Sequence, residues 1–133
     1  MNVIVCLDKN NGMMFNERRQ SQDRIVLERI LEITKDSNLF MNSYSYELFK
    51  EMKDTNIFVC DNFLEQAAKM DYCFVENESL IKYKDKIKKI IVFRWNRVYP
   101  ADVYFDLNLD KILEICDFQG SSHDITLETY EEN

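Results

Sequence analysis

The sequence predicts an α/β protein with a mostly parallel central sheet, helices on both faces and an antiparallel C-terminal hairpin. Between residues 2 and 95, short apolar runs of strand length alternate with helix-like segments. After Pro100 the pattern changes to three strand-like segments in succession. Alternating strands and helices are typical of a parallel sheet, and successive strands are typical of an antiparallel edge.

The first half of the chain supplies the first strands and the main helix. Its predicted elements are a strand at 2–7, a polar loop at 8–22, a helix from Asp23, a strand at 38–41 and a helix at 45–52. The Asn11-Gly12 pair favours a tight turn, so a hairpin is the alternative for the loop. Asp23 lies at the helix N-terminus, where a carboxylate interacts favourably with the helix dipole.

The second half continues the alternation and ends in strands. Its predicted elements are a strand at 55–60, a helix at 61–69, a strand at 71–76, a short helix at 77–86, a strand at 87–95, and strands within 101–105, 110–118 and 123–132. Asp61 is the expected cap of the helix at 61–69. The last strand alternates apolar and polar residues, which predicts one buried face.

One domain spanning residues 1–133 is expected, because this length suffices for one core and is too short for two ordinary ones. Hydrophobic residues make up 46%, which is typical of a globular protein. A net charge of −7 argues against nucleic acid and anionic membranes as partners. The N-terminus lacks signal-peptide features and no apolar run spans a bilayer, so a cytoplasmic protein is expected.

The side chains that commonly bind metals or act as nucleophiles form no strong motif. The four cysteines are not arranged in close pairs, so we expect buried apolar cysteines and no metal site. The single histidine lies in the sequence Ser122-His123-Asp124. Neighbouring residues of a strand point to opposite faces, so these three residues do not predict a catalytic triad.

The order of elements and several local segments together resemble the dihydrofolate reductase family. MNVIVCLDKNNGMM at 1–14 is similar to the family's first strand and mobile active-site loop. FMNSYSYELF at 40–49 resembles its strand, methionine–glycine–arginine turn and capped helix. The segments at 90–109 and 123–133 resemble the late strand with its following entry and the terminal hairpin. The resemblance covers nearly the whole chain and implies a three-layer dihydrofolate-reductase-like fold.

The resemblance implies a substrate pocket and one catalytic acid. In the family, a carboxylate near the start of the first helix hydrogen-bonds the pterin and assists protonation, and Asp23 is the candidate here. The pocket would lie between the first helix and the central strand, and its candidate residues are Val5, Cys6, Leu27 and Phe93. Phe93 replaces the threonine that supports the acid, and a phenyl ring suits a core better than a cleft.

The positions that match the family's grips on the NADPH phosphates have lost phosphate-binding chemistry. The matching residues are Asn42, Ser43, Ser45, Val75, Glu76 and Asn77. Ser43 replaces an arginine and provides neither charge nor a bidentate fork, while Ser45 is the expected helix cap. Glu76 lies where glycines allow the backbone to approach the pyrophosphate, and it adds a like charge. The resemblance implies a degenerate cofactor site; a helix N-terminus stabilised by Glu76 and Glu78 without a ligand is the alternative reading.

Three functional interpretations follow from these residues. The favoured one is a dihydrofolate-reductase-like protein that has lost NADPH-dependent folate reduction, and for it we expect no cofactor. Such a protein would bind a small molecule in a pterin-like cleft, or it would bind a protein partner. A second is a short but active NADPH-dependent reductase that uses Asp23 in proton relay. A third is a subunit of a homo-oligomer or larger assembly, formed through the acidic face or the C-terminal hairpin. The first is favoured because the losses fall on both phosphate grips and on Phe93.

Overall fold

A seven-stranded mixed sheet forms the centre of the protein in the computed structural model, which describes residues 1–52 and 56–132. The strands in chain order are β1 (Asn2–Leu7), β2 (Gly12–Phe15), β3 (Arg18–Arg19), β4 (Leu39–Met41), β5 (Ile57–Val59), β6 (Tyr72–Phe74), β7 (Lys89–Arg94), β8 (Val103–Tyr104), β9 (Lys111–Gln119) and β10 (Asp124–Glu131). The sheet order is β5-β4-β6-β1-β7-β10-β9, and only β10 pairs in the antiparallel sense, with β7 and with β9. A small second sheet has the order β3-β2-β8. The predicted α/β class, with its antiparallel C-terminal hairpin, is confirmed.

The helices are shorter than the sequence pattern predicts. They are α1 (Arg24–Ile33), α2 (Ser43–Tyr46), α3 (Phe63–Gln66) and a 3₁₀ helix (Ile81–Lys86). Asn42 caps α2 by accepting a hydrogen bond from the Ser45 N–H at 2.9 Å, so the prediction of Ser45 as the cap is wrong. Asn62 occupies the N-cap position of α3 in place of Asp61. Residue type alone could not fix the helix start, because several polar residues in each turn are acceptable caps.

The predicted polar loop at 8–22 contains a β-hairpin. Strands β2 and β3 pair through Met14 with Arg19 and Phe15 with Arg18. The turn is made by Asn16 and Glu17, whose φ angles of 52° and 62° are those of a tight hairpin turn. The alternative prediction of a hairpin is therefore correct, but its turn lies at 16–17 and not at 11–12. Gly12 begins β2, and Asn11 ends the bend that follows β1.

Strand β1 lies at the centre and separates two apolar clusters. Its residues Val3, Val5 and Leu7 point into one cluster, and Ile4 points into the other with Val26 and Ile30 of α1. Alternate residues of a strand point to opposite faces, and a central parallel strand is covered on both. The predicted strands are somewhat longer than those observed at 57–59, 72–74 and 89–94, and Thr55, the first residue of one prediction, lies outside the described residues.

Strand β9 forms one edge of the main sheet and is exposed along almost its whole length. Ile112, Leu113 and Ile115 are 47%, 53% and 61% exposed. Cys116 on this strand is also exposed, so the expectation that every cysteine is buried is wrong. The apolar residues around Cys116 in the sequence led to the expectation of burial. The strand lies at the edge of the sheet, however, where no further element covers its apolar residues.

No helix among residues 1–52 and 56–132 is long and apolar enough to cross a membrane.

Candidate functional site

The candidate site lies at the carboxyl edge of the parallel strands, where ligands bind in open α/β sheets. The chain leaves β1 at Asp8, β4 at Asn42 and β6 at Val75, and the β2–β3 hairpin covers this edge. A cavity beneath the hairpin has a volume of about 20 Å³ for the centre of a water-sized molecule. Such a space holds roughly one water.

Asp8, immediately after β1, organises the base of the site, and no motif in the sequence singled it out. Its side chain is fully buried. One carboxylate oxygen accepts hydrogen bonds from the Asn10 and Gly12 N–H groups, both at 2.8 Å, and the other accepts from Tyr99 N–H and Gln20 Nε2 at 3.0 and 3.1 Å. Burial raises the pKa of Asp8, but these hydrogen bonds outweigh it, so its pKa is lowered. Asp8 therefore fixes the loop between β1 and the hairpin.

The two segments that match the cofactor-phosphate grips are hydrogen-bonded to each other. Asn42 Nδ2 donates to Asn77 Oδ1 and to Glu78 Oε2, both at 3.0 Å. Ser43 is exposed, and Ser45 is fully buried with no hydrogen-bond partner for Oγ among the described residues. The crevice between β4 and β6 is therefore bridged by side chains where the resemblance expected glycines.

An arginine–glutamate clasp closes the crevice beside this bridge. Arg19 of β3 donates from Nε to Glu76 Oε2 at 2.9 Å and from Nη2 to Glu76 Oε1 at 3.0 Å. Its guanidinium also lies 4.4 Å from the centre of the Tyr44 ring, and its backbone N–H donates to the Tyr44 hydroxyl at 3.1 Å. The next helix begins at Ile81, so Glu76 does not stabilise its N-terminus; the carboxylate, 8% exposed, pairs with Arg19. The hairpin is held against β6 by charge and against α2 by stacking.

Asp23 faces the turn between β9 and β10 with its hydrogen bonds already made. Its carboxylate accepts from the N–H groups of Ile25, Ser121 and Ser122 at 2.9, 2.9 and 3.1 Å, and from His123 Nδ1 at 3.1 Å. Burial raises its pKa, but the four hydrogen bonds outweigh it and lower the pKa to about 2. An acid with so low a pKa stays ionised and is a poor proton donor.

The predicted pocket residues divide between the cavity and the core. Cys6 and Leu27 line the cavity, together with Val26 and Trp95. Val5 and Phe93 are both fully buried, and Val5 belongs to the cluster on the opposite face of β1. Phe93 packs edge-on against Phe118, with ring centres 6.2 Å apart. Burial raises the pKa of Cys6, so its thiol is a buried apolar group.

Two polar residues of the site were not singled out by their pattern. Ser21 lines the cavity, and its Oγ lies 2.7 Å from His123 Nε2. The His123 ring packs against Trp95, with ring centres 4.9 Å apart. Ser21 and His123 are 102 residues apart in sequence, and no local motif connects them.

The residues at the positions that match the family's phosphate grips are bonded to other groups of the protein. The cavity beneath the hairpin holds about one water in this conformation, and Asn42 is hydrogen-bonded to Asn77. Two carboxylates of the segment that follows β6, Glu76 and Glu78, accept hydrogen bonds from Arg19 and Asn42. Arg19 and Glu76 neutralise each other, so this pair offers neither a free cation nor a free carboxylate to an incoming anion.

The comparisons with known proteins define the fold class. No protein-family model matches the chain. No curated protein sequence matches it either. Among solved structures, the dihydrofolate reductase from Enterococcus faecalis complexed with NADP(H) and RAB-propyl is similar to this chain, with a TM-score of 0.67 and 11% sequence identity. The similarity covers 99% of this chain and 95% of the reductase.

This chain has a dihydrofolate-reductase-like fold. The order of elements and the segments at 1–14, 40–49, 90–109 and 123–133 predicted this fold, and the prediction is confirmed. At 11% identity the likeness defines the fold and leaves the chemistry to the residues of the site.

Proposed function

We propose that this protein uses a dihydrofolate-reductase-like fold as a binding domain and has lost NADPH-dependent reduction of folate. Its ligand would be a small molecule that displaces the hairpin to enter the cavity, or a protein that binds the surface around it. An active NADPH-dependent reductase remains the alternative, because the similar reductase was solved with NADP(H). A subunit of a larger assembly is the other alternative, for which the exposed edge strand β9 is the available surface.

The observation that carries this proposal is the mutual bonding of the two former phosphate grips. Asn42 donates to Asn77 and Glu78, and Arg19 forms a bidentate pair with Glu76. A cofactor would have to break both contacts and leave buried polar groups without partners, at about 1–3 kcal/mol for each. Asp23, the counterpart of the family's catalytic acid, lines the cavity, but its carboxylate oxygens already accept hydrogen bonds from the β9–β10 turn.

The direct test is a titration of the purified protein with NADPH, followed by nicotinamide fluorescence and by thermal shift. Dihydrofolate and methotrexate are titrated separately and then together with NADPH. We expect no saturable NADPH binding below about 1 mM. A ligand present at a hundred times its Kd stabilises a protein by about 2.7 kcal/mol, so micromolar binding would be plain in the melting temperature.

The outcomes separate the interpretations. Binding of methotrexate or dihydrofolate without NADPH supports a retained small-molecule cleft, and no shift with any ligand supports a protein partner. Micromolar NADPH binding contradicts the proposal and favours the reductase. In that case, turnover by the wild type and by Asp23→Asn decides whether Asp23 takes part in the chemistry.

A further inference from the structure

Three side chains from distant parts of the chain are arranged in the order hydroxyl, imidazole, carboxylate. Ser21 Oγ lies 2.7 Å from His123 Nε2, and His123 Nδ1 lies 3.1 Å from Asp23 Oδ2. His123 is 8% exposed, Asp23 is 4% exposed, and Ser21 lines the cavity. These are the contacts that a nucleophilic serine, a general base and the carboxylate that positions the base must make.

The carboxylate decides which nitrogen of the imidazole carries the proton. Asp23 accepts three backbone N–H groups, so it is ionised and offers only acceptor atoms to His123 Nδ1. A bare Nδ1 lone pair facing that oxygen at 3.1 Å would be repelled, so Nδ1 carries the proton and donates it. Nε2 is then an acceptor, and the Ser21 hydroxyl donates to it.

The turn between β9 and β10 holds this arrangement in place. Ser122 Oγ lies 3.0 Å from His123 Nδ1, the same ring nitrogen that faces Asp23. The Trp95 ring packs against the imidazole and restricts its rotation. Gly120 allows the turn to approach Asp23, because a Cβ at this position would lie 2.5 Å from Asp23 Oδ2. Ser21 and Asp23 both line the cavity, and Ser21 is the one of the two that carries a nucleophilic hydroxyl.

We propose that Ser21, His123 and Asp23 form an acyl-transfer site that hydrolyses small activated esters, a function beyond the binding role proposed above. Ser21 Oγ attacks the ester carbonyl carbon, and its proton passes to His123 Nε2. The bond from that carbon to the alkoxide breaks, and the alkoxide leaves with the proton from Nε2. Water then attacks the acyl-serine and gives one proton to Nε2, which returns it to Ser21 Oγ as the carboxylic acid departs.

The walls of the cavity set the class of substrate. Apart from the polar rim, they are apolar and include Val26, Leu27, Leu48, Phe74 and Trp95. A space of about 20 Å³ holds roughly one water, so the hairpin must move to admit even an acetyl group, and a short acyl chain needs the smallest movement. The substrate class is therefore esters of short, uncharged acyl groups. Activated esters and fluorophosphonates are the suitable probes, because their reaction with a serine depends more on the nucleophile and its base than on an oxyanion hole.

The first experiment labels the wild-type protein with a fluorophosphonate and locates the label by peptide mass mapping. General-base assistance contributes about a hundredfold or more, so we expect Ser21 to react about a hundredfold faster than any other serine. Ser21→Ala should abolish labelling and the burst of nitrophenol from p-nitrophenyl acetate. Ser37→Ala, in the turn after α1, is the matched control and should retain both. Mapping on the wild type does not depend on whether a variant folds.

The second experiment reads the tautomer of the imidazole directly. His123 is the only histidine of the chain, so a ¹⁵N-labelled sample gives a single imidazole spin system. We expect the neutral ring to carry its proton on Nδ1. Asp23→Asn can still cap α1, but its amide can donate to Nδ1, so the proton should move to Nε2 and labelling of Ser21 should fall at least tenfold.

Each result bears on the proposal. A label on Ser21 together with the Nδ1–H tautomer supports it. An Nε2–H tautomer in the wild type overturns it, because Nε2 would then donate to Ser21 and could not accept its proton. The absence of a Ser21 label overturns it whatever the tautomer, and so does equal labelling of Ser21→Ala. None of these results depends on NADPH or folate, so failure here is distinct from failure of the proposed binding function.

Discussion

At the scale of single residues, the role that the sequence predicts for the Asp23 carboxylate differs from the role that it has in the structure. Asp23 was the candidate pterin acid because it lies at the start of α1. In the structure it caps that helix and also holds the β9–β10 turn through Ser121, Ser122 and His123. Saturation by four donors explains why its pKa is lowered to about 2. A residue so fully bonded stabilises the fold and positions its neighbours.

The close packing of Gly120 against Asp23 gives the first prediction. In Gly120→Ala, the new Cβ would lie 2.5 Å from Asp23 Oδ2 and 2.9 Å from its Cγ, so the carboxylate or the turn must move. Loss of one or two of the buried hydrogen bonds should lower the free energy of unfolding by about 2 kcal/mol. Urea unfolding measures this, with Ser121→Ala as the control, since its exposed side chain makes no contact with Asp23. Equal midpoints for the two variants would refute the packing argument.

The low pKa of Asp23 gives the second prediction. Its pKa in the folded protein lies below the ordinary value of 3.8, so the stabilisation is present above that pH and is lost as the pH falls toward 2. The difference in free energy of unfolding between the wild type and Asp23→Asn should be about 2 kcal/mol near pH 6. It should shrink as the pH is lowered from 4 to 2. A difference that stays constant over this range would show that the carboxylate charge is not responsible.

At the scale of elements, the β2–β3 hairpin decides whether the candidate site is open. It is joined to the rest of the protein by the Arg19 contacts with Glu76 and Tyr44 at one end and by the Asp8 hydrogen bonds at the other. Its turn is exposed, and Phe15 near the tip is 48% exposed. The clasp between Arg19 and Glu76 is therefore the contact that most directly keeps the cavity small.

Removal of this clasp is the third prediction. Arg19→Met keeps the apolar stem but leaves the Glu76 carboxylate, only 8% exposed, without its cation. The free energy of unfolding should fall by about 2–3 kcal/mol, and amide exchange in residues 12–19 should accelerate. The matched control is Arg24→Met, which breaks the exposed Arg24–Glu28 pair and should cost less than about 0.5 kcal/mol. Similar losses in both variants would contradict the assignment of the clasp.

At the scale of the whole molecule, the sheet ends in an exposed strand that carries apolar side chains. Strand β9 pairs only with β10, and its outer edge has no pairing partner among the described residues. Such an edge provides unpaired backbone groups to any strand that meets it. It is the surface on which self-association or a protein partner should first be sought.

The fourth prediction concerns this edge. Ile115→Lys should reduce self-association at high protein concentration without changing the unfolding midpoint, because Ile115 is 61% exposed and a lysine on an edge strand opposes strand pairing. Light scattering after size exclusion, over a range of concentrations, measures the effect. Ile81→Lys is the control, since Ile81 is 60% exposed but lies on the 3₁₀ helix. An equal effect of both substitutions would assign the association to general surface hydrophobicity.

The sequence by itself determined the alternation of strands and helices, the class of the fold and the antiparallel C-terminal hairpin. These features are local, because the period of apolar residues sets which face of each element is buried. Helix ends and the hairpin at 12–19 were less well predicted, since several polar residues compete for each cap and turn. The replacement of glycine and arginine at the positions that match the family's phosphate grips was also readable, and the loss of cofactor binding there stays a prediction.

Only the tertiary structure decided what those positions do instead. Arg19 and Glu76 are 57 residues apart in sequence, and Asp23 and His123 are 100 apart. A hydrogen bond requires its two atoms to lie within about 3 Å, and no period in the sequence specifies that distance across separate strands. The clasp over the cavity and the Ser21–His123–Asp23 arrangement therefore arise from the packing of the hairpin and the β9–β10 turn against the same end of α1.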